Sequence, residues 1–449
     1  MAYTNPPPTP SSHLLSLPVE LLRFVILYMD LPAIKSTRLT CKLLSLLSTP
    51  YLIPPKFHGF AHRPDFNRLL QLCRHPTFSS CIQSIELNLG DIDEFHARHN
   101  AYIFSPETRA ELAEEAWFRY SSLKFLRDEH SSRTCDPDIL SEVFRSLPNL
   151  SALSVSMVNF PLPYEPALSL LASVWRVPST RLLHRDLTKE RFTTILFSLL
   201  HSVEALKLRK LSHDCLPFEF FAQNKVLFES ITPIFSNLTD LRLALDYSGI
   251  PDDFNSEEAF ANIAICLKAA TNLENFYGCF QSRRKINITP LLEDLVSKSD
   301  KQKHFLPRLR SLHIEGVSSR FLALESFLIS LSSTLEVIEF GGDGCHEPNQ
   351  LSNGGVHLLD GKFRRLFENV EKAIGGPLAR FVVRGDLVEV EGGGSWFLNR
   401  EVGWHGAMDW DRIGESIRKC KISNCFSTHE LRRYVPRSGL GKHQPEETT

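Results

Sequence analysis

Apolar residues in the middle of the chain recur in a two-part pattern. Stretches that place apolar residues at positions i, i+3, i+4 and i+7 predict amphipathic helices, and three of them begin at Leu140, Phe260 and Phe363. Each stretch is followed by a short run of the form L-x-x-L-x-L, whose last two apolar residues alternate with a polar one, as on a half-buried strand. The clearest runs begin at Leu150, Leu238, Leu309 and Leu335, and weaker copies begin at Ile82, Val203 and Leu273.

A helix and a strand that alternate in this way cannot bury their apolar faces within one unit, so neighbouring units must stack. A spacing of about 25 to 50 residues is typical of leucine-rich repeats, which stack into a parallel sheet with helices outside it. The pattern therefore predicts the α/β class, with an irregular leucine-rich-repeat-like solenoid over residues 76–390. A generic α/β domain is the alternative, because the spacing is irregular and the usual asparagine after the last leucine is absent.

The remaining segments differ in composition from this pattern. Residues 1–12 are rich in proline, and we expect them to be disordered. Residues 51–75 are interpreted as a linker, and residues 378–390 as a terminal strand pair. A C-terminal extension rich in tryptophan covers 391–426, and the polar residues 427–449 are expected to form a flexible tail.

The segment from Leu14 to Leu47 is rich in leucine and predicts two or three short helices. Pro18 suits the first turn of a helix, where its missing N–H is not needed, and Asp30-Leu31-Pro32 interrupts the apolar stripe. A segment of about 35 residues cannot bury so many leucines by itself. The apolar surface of these helices should therefore contact a partner or the rest of the chain.

This segment resembles the F-box, a short helical module. The family pattern has a leading Leu-Pro, an acidic residue with two leucines, an apolar helix, a break at proline, and a second helix with L-x-C-K. Leu44 stands where the family usually has a tryptophan. The matching positions are Leu17-Pro18, Glu20-Leu21-Leu22, Val25-Ile26-Leu27, Asp30-Leu31-Pro32 and Leu39-Thr40-Cys41-Lys42.

The resemblance implies a three-helix F-box over residues 13–50 that docks on the small Skp-type adaptor, which bridges to a cullin. The repeats would hold a protein substrate, as in fungal-type F-box proteins with degenerate leucine-rich repeats. The chain would then be a substrate adaptor of an SCF-type ubiquitin ligase; a self-contained helical cap on the first repeat is the alternative. The residues assigned in this way to adaptor binding are Leu17, Pro18, Leu21, Leu22, Val25, Ile26, Leu31, Ile34, Leu39 and Cys41.

The strand register predicts a second binding surface. If the L-x-x-L-x-L runs are strands of a curved sheet, the residue between the last two apolar positions faces the concave side, away from the helices. We expect a protein substrate to bind this mixed-charge surface. The predicted residues are Glu86, Ser154, Lys207, Arg242, Tyr277, His313 and Glu339, with Arg209 and Glu315 two positions further along the chain on the same surface.

Motifs for chemistry are incomplete. His184-Arg185-Asp186-Leu187 copies the start of the kinase catalytic loop, but Arg191 stands where that loop needs an asparagine to hold a metal. The ten cysteines form no C-x-x-C pair and predict reduced thiols rather than a zinc site. We expect no catalytic residue, metal or cofactor. A scaffold that acts outside a ligase is the nearer alternative, and an enzyme with an unrecognised fold is the more distant one.

Composition and charge fit a soluble globular protein. The formal net charge of −2 gives no reason to expect nucleic acid or an anionic membrane as partner. The first residues lack the positive charge and apolar core of a secretory signal. Glu20, Arg23 and Asp30 argue against a membrane span between Leu14 and Ile34. We therefore expect the protein in the cytoplasm, the nucleus or both.

Overall fold

The computed structural model describes most of the chain between residues 13 and 397. The segments predicted as a disordered N-terminus and a flexible tail lie outside the described residues, as does most of the tryptophan-rich extension. The described ranges are 13–90, 110–130, 134–157, 184–202, 207–251, 254–282, 285–296, 305–342, 345–347, 350–352, 354–375, 380–383, 385–391 and 394–397.

Three short helices open the described chain. Asp30 caps the second of them, because its Oδ1 accepts a hydrogen bond from the backbone N–H of Ala33 at 2.8 Å, and Pro32 lies in the first turn of that helix. The break expected at Asp30-Leu31-Pro32 thus separates two helices. The helices are α1 Val19–Leu27, α2 Leu31–Arg38 and α3 Lys42–Ser48, with 3₁₀ turns at His13–Ser16 and Thr49–Leu52.

A nine-stranded sheet forms the centre of the remaining chain. Every pair of neighbouring strands in this sheet is parallel. The strands lie side by side in the order in which they occur along the chain. The strands are β1 Lys56–Phe60, β2 Ser84–Asn88, β3 Ala152–Ser156, β4 Lys210–Pro217, β5 Asp240–Asp246, β6 Asn275–Gln281, β8 Ser311–Glu315, β10 Val337–Phe340 and β14 Arg380–Val383.

A second sheet of five strands accompanies the C-terminal part of the first. Its strands β7, β9, β13 and β15 are parallel and again in chain order, whereas β16 pairs antiparallel with β15. These strands are β7 Ile286–Asn287, β9 Val317–Ser319, β13 Val356–Leu358, β15 Asp386–Glu389 and β16 Gly394–Phe397; a separate hairpin consists of β11 Cys345–Glu347 and β12 Gln350–Ser352.

Helices connect the parallel strands, as parallel pairing requires. The apolar residues that predict helices are buried, among them Phe144, Phe260 and Phe363, and they share one core with the strand leucines. Within the described residues, no helix combines the length and apolar character needed to cross a bilayer. These helices are α4 Asp65–Cys73, α5 Pro76–Ser79, α6 Ala110–His130, α7 Pro137–Arg145, α8 Arg185–Leu200, α9 Lys225–Ser236, α10 Ser256–Ala269, α11 Thr289–Val296, α12 Phe321–Ser330 and α13 Phe363–Ile374.

One backbone pattern repeats from strand to strand. The carbonyl oxygen of Ser151, just before β3, accepts hydrogen bonds from the N–H groups of Arg209 and Lys210 at 2.7 and 2.9 Å. The carbonyl groups of Arg209 and Thr239 do the same for the residues that open β5 and β6. Each of these strands therefore begins with the same backbone hydrogen bonds to the strand before it, whatever side chains the strands carry.

Three sequence expectations differ from the structure. Residues 51–75 are not a linker, because they contain β1 and α4, the first strand and helix of the sheet region. Residues 378–390 do form two strands, β14 and β15, but these lie in different sheets and do not pair with each other. The run expected from Val203 to Leu208 is also displaced, since the strand is β4 and its core-facing leucine is Leu211.

Candidate interaction surfaces

The three N-terminal helices have a small core of their own. Leu22 and Ile26 of α1 pack with Ile34 of α2 and with Leu44 and Leu47 of α3, and all five are buried. This cluster is distinct from the large core beneath the sheet. The helical unit thus keeps its shape with five apolar side chains and has many more on its surface.

The outer surface of α1 is apolar and exposed. Phe24 is 58% exposed and Tyr28 is 76% exposed, and their rings meet edge to face with centroids 5.0 Å apart. Leu21 and Leu27 are exposed beside them. We call these four residues the α1 outer face. Contiguous exposed apolar surface of this kind marks an interaction site in a soluble protein.

The same unit exposes further leucines. Leu39, in the link between α2 and α3, is 88% exposed, and Leu46 of α3 is also largely exposed. A leucine in such a position contributes little to the stability of the free chain. Other exposed apolar residues of the unit are Leu14, Leu15, Leu17, Val19, Val25, Leu31 and Leu43.

The residues predicted to bind an adaptor fall into two groups. Leu22, Ile26 and Ile34 are buried in the core of the helical unit. The prediction that they contact an adaptor is therefore corrected, because these side chains hold the three helices together. Cys41 is half-buried against the same core. The others are exposed: Leu17, Pro18, Leu21, Val25, Leu31 and Leu39.

Sequence reasoning missed Phe24, Leu27, Tyr28 and Leu46, which are among the most exposed apolar residues of the unit. A helical wheel centred on Leu22 and Ile26 would have placed the α1 outer face opposite the core. The charged residues of the helical unit are mostly basic, with four cations against two carboxylates between residues 13 and 52. They are Arg23, Lys35, Arg38 and Lys42 against Glu20 and Asp30.

A row of side chains crosses the large sheet on the side away from its apolar core. Strand pairing places one residue of each strand in this row, and we call the row the strand face. Five of its residues in the middle and C-terminal strands are polar or ionisable and half-buried, namely Ser154, Ser212, Tyr277, His313 and Glu339. In sheet order the row is His58, Glu86, Ser154, Ser212, Arg242, Tyr277, His313, Glu339 and Val382.

Six of the seven predicted substrate-binding positions lie in this row: Glu86, Ser154, Arg242, Tyr277, His313 and Glu339. Lys207 does not, because β4 begins three residues later and Ser212 takes the place expected for it. Arg209 also precedes β4, and its guanidinium donates to the carbonyl oxygen of Asn237 at 3.0 Å. Glu315 lies on the same side of the sheet as the row, where the hydroxyl of Tyr277 donates to its carboxylate at 3.1 Å.

The N-terminal end of the strand face holds a small ionic group. Lys56 forms an ion pair with Glu86, and Nδ1 of His58 lies 3.8 Å from the same carboxylate. Burial lowers the pKa of His58, and this effect outweighs the opposing charge of Glu86. In the middle of the face, the Ser212 hydroxyl donates to Oγ of Ser154 at 2.8 Å.

The C-terminal end holds a denser chain of contacts. Nδ1 of His313 lies 3.0 Å from Oε2 of Glu339, and Nε2 lies 3.5 Å from Oε2 of Glu315. Arg380 approaches the other oxygen of Glu339 at 3.3 Å. Burial lowers the pKa of His313, but the two neighbouring carboxylates, Glu315 and Glu339, raise it, and the net shift is upward. Burial also raises the pKa of the Tyr277 hydroxyl.

The segment that copies the kinase loop has a structural explanation. Arg185 donates to both carboxylate oxygens of Glu219 and, at 2.6 Å, to the carboxylate of Asp246. It also donates to the carbonyl oxygens of Asp246 and Ser248. The guanidinium therefore joins the start of α8 to the end of β5, and Asp186 beside it is exposed and paired with Lys189. These contacts of Arg185 are structural ones that link neighbouring elements of the fold.

Other candidate chemistry is sparse in the described part of the chain. No three residues among its histidines, cysteines and acids are arranged to hold a metal ion. His213 is buried on the core side of β4, where burial lowers its pKa to about 3, so its ring is neutral. Five of the described cysteines are buried thiols: Cys73, Cys135, Cys215, Cys266 and Cys279.

Comparison with known proteins adds no relative to this picture. The chain matches no protein-family model, and no curated protein matches its sequence. The two surfaces described above are therefore the basis for any statement about function.

Proposed function

We propose that the chain is a non-catalytic substrate adaptor of an SCF-type ubiquitin ligase, with an F-box formed by the N-terminal helices. One observation carries this proposal. The segment that resembles the F-box folds into three helices that expose the α1 outer face and Leu39, although buried leucines hold the unit together. A helix that is apolar on nearly all sides is stable in water only where other surfaces cover it. A Skp-type adaptor would cover it by helix-in-groove recognition.

The charge of the helical unit supports a partner of defined chemistry. The helical unit carries four cations and two carboxylates between residues 13 and 52, so a partner with an apolar groove and a net acidic surface would complement it. Apolar contacts would supply most of the affinity, because solvent-exposed ion pairs contribute little.

The sheet region would be an irregular leucine-rich-repeat-like solenoid that holds the substrate. Parallel strands in chain order, connected by helices and with the same backbone stagger from strand to strand, support this reading. The strand face offers a mixed-charge surface on which a protein segment would bind. The adaptor would act by proximity. It would raise the effective concentration of a target lysine near a conjugating enzyme that carries ubiquitin.

A scaffold that binds the Skp-type adaptor without a cullin is the second candidate. The same exposed apolar surface supports it, because an adaptor could bind there without a cullin.

Affinity capture of the tagged full chain with quantitative mass spectrometry tests both candidates. We expect the native chain to recover a Skp-type adaptor and a cullin, and a variant with Leu21→Asp and Leu39→Asp to lose both. Leu322→Asp is the matched control, because Leu322 is a leucine of α12 with 68% exposure far from the N-terminal helices in sequence. Recovery of the adaptor without a cullin would favour the scaffold, and recovery of neither by the native chain would refute the proposal.

A further inference from the structure

The middle of the large sheet carries two exposed cations in neighbouring strands. Arg242 of β5 belongs to the strand face. Lys210 of β4 lies on the same side of the sheet, because it precedes Ser212 of that row by two residues. Both side chains are exposed. Within the described residues, neither the guanidinium of Arg242 nor the ammonium of Lys210 forms an ion pair or a side-chain hydrogen bond.

The cations at the two ends of the same side differ from this pair, because each has a carboxylate beside it. Lys56 forms an ion pair with Glu86 in the N-terminal strands. Arg380 lies 3.3 Å from a carboxylate oxygen of Glu339 in the C-terminal strands. The charges at the ends are thus balanced within the protein, and the unbalanced positive charge lies in the middle.

The carboxylate opposite Lys210 in register is that of Asp240, and its oxygens have other partners. Its Oδ2 accepts a hydrogen bond from the hydroxyl of Thr239 at 2.9 Å, and its Oδ1 accepts one from the amide of Asn275 at 3.2 Å. Asp240 forms no ion pair with Lys210 or Arg242, all three of which the structure describes. Its presence therefore leaves both cations available to an outside anion.

Two hydroxyl groups adjoin the cations. Ser212, which is next to Arg242 in register, donates to Oγ of Ser154 at 2.8 Å. This bond uses one of the two O–H hydrogens, and the other has no acceptor among the described residues. A guanidinium, an ammonium and an O–H group thus lie together, and all three donate. We call Lys210, Arg242, Ser154 and Ser212 the donor patch.

The donor patch lies where the sheet is open. Ala244 and Cys279, further along β5 and β6 on the same side, are buried, whereas Lys210 and Arg242 are exposed. Strands about 4.8 Å apart and a rise of about 3.3 Å per residue separate the Cα atoms of Lys210 and Arg242 by about 8 Å. Alternate residues of an extended peptide, which point to one side, are about 6.6 Å apart. The long side chains of lysine and arginine span the difference.

We propose that the donor patch binds an extended acidic segment of a partner protein, with aspartate or glutamate at alternate positions. Arg242 binds one carboxylate through two parallel hydrogen bonds, and Lys210 pairs with the next carboxylate on the same side of the segment. The remaining serine O–H donates to one of them. The inference rests on the proposed function in that the segment belongs to the substrate of the ligase; the binding itself needs no adaptor.

Fluorescence anisotropy of the purified full chain with a labelled synthetic peptide tests the proposal. The probe alternates glutamate with serine. One comparison peptide has glutamine in place of glutamate, and another repeats Glu-Glu-Ser-Ser, in which adjacent glutamates point to opposite sides. We expect the probe to bind at least about tenfold more tightly than the glutamine peptide and at least about threefold more tightly than the isomer, and to bind less tightly at high salt. Equal binding of the three peptides, or no binding of the probe, would overturn the proposal.

Substitutions on the sheet place the binding. We expect Lys210→Gln with Arg242→Gln to weaken binding of the probe at least about tenfold, and each single substitution at least about threefold. The matched control is Lys225→Gln with Arg364→Gln, which removes the same two charges from exposed positions on α9 and α13. The control should bind within about twofold of the native chain. The single variants serve if the double variant does not fold, and equal weakening in the control would overturn the proposal.

Two further measurements separate the alternatives. A peptide with one phosphoserine and no glutamate should bind more weakly than the probe, and binding at least about tenfold tighter would overturn the proposal in favour of a phosphate site. Titration of the double variant with a purified Skp-type adaptor should match that of the native chain. Failure of the native chain to bind the adaptor would refute the proposed function and leave the peptide result unaffected.

Discussion

The N-terminal helices and the sheet region handle apolar side chains in opposite ways. In the sheet region many phenylalanines, such as Phe144, Phe218 and Phe340, are fully buried, and Phe118 and Phe125 of α6 are exceptions. In the helical unit Phe24 and Tyr28 are more than half exposed, and only five apolar residues are in its core. Stability therefore resides mainly in the sheet region, and the helical unit leaves much of its apolar surface exposed.

The free energy involved in this difference is large. Full burial of a leucine or phenylalanine side chain is worth about 1.5–3 kcal/mol. In the sheet region folding releases that free energy. The α1 outer face would release it only on docking, after the costs of association and of ordering side chains are met.

The largest effect is expected at a buried charge of the sheet region. Arg185→Ala leaves Asp246 buried without its cation, and loss of one partner from a buried pair costs about 3–5 kcal/mol. Chemical denaturation of the sheet region measures it. A decrease of less than about 1 kcal/mol in the free energy of unfolding would show that the fold does not need Arg185 to neutralise Glu219 and Asp246.

The same substitution in both regions sharpens the comparison. Leu241→Ala removes a fully buried strand leucine and should lower the free energy of unfolding by about 2–5 kcal/mol. Leu39→Ala removes a leucine that is 88% exposed and should change it by less than about 0.5 kcal/mol. Denaturation curves of the two variants, recorded side by side, check this. Equal decreases in the free energy of unfolding would contradict the conclusion that stability resides mainly in the sheet region.

Acid should affect the sheet region through His213. Because burial lowers its folded-state pKa to about 3 from an ordinary value of about 6.5, the unfolded chain binds the proton first. Stability is full above about pH 6.5 and falls as the pH decreases toward 3. At about pH 4.5 the loss from this residue is roughly 2–3 kcal/mol. In His213→Gln the slope of stability against pH should be shallower; an unchanged slope would assign the acid sensitivity to other groups.

The sequence predicted the strands wherever a leucine pattern was complete. Leu153 and Val155 of β3, or Leu312 and Ile314 of β8, occupy the expected positions because alternation fixes which side of a strand faces the core. The pattern failed at β4, where His213 stands in a core position and the apolar run before it looked more regular.

In the second sheet β15 falls within the predicted strand pair, but β7 and β9 were not predicted, for a different reason. β7 and β9 have two and three residues, too few for an alternating pattern to appear. In β1, Gly59 occupies a core-facing position opposite Leu87, so the alternation of this strand is hidden as well.

For the candidate site, the sequence identified the segment but not its surface. α1 is apolar on nearly all sides, and only packing against Leu44 and Leu47 shows that Leu22 and Ile26 point inward. The strand-face residues were mostly predictable because their positions depend on register alone. The burial of Glu315 was not, because its carboxylate lies against the backbones of Gly342 and Gly354, which are distant from it in sequence.

Binding of the purified full chain to a purified Skp-type adaptor, measured by titration calorimetry, tests the central claim most directly. Phe24→Asp and Phe118→Asp form a matched pair, since both phenylalanines are more than half exposed and only Phe24 belongs to the α1 outer face. We predict that the native chain and Phe118→Asp bind alike, and that Phe24→Asp binds at least about 30-fold more weakly, as expected for an aromatic anchor worth 2 kcal/mol or more. Equal binding by all three chains, or no binding by the native chain, would contradict the account.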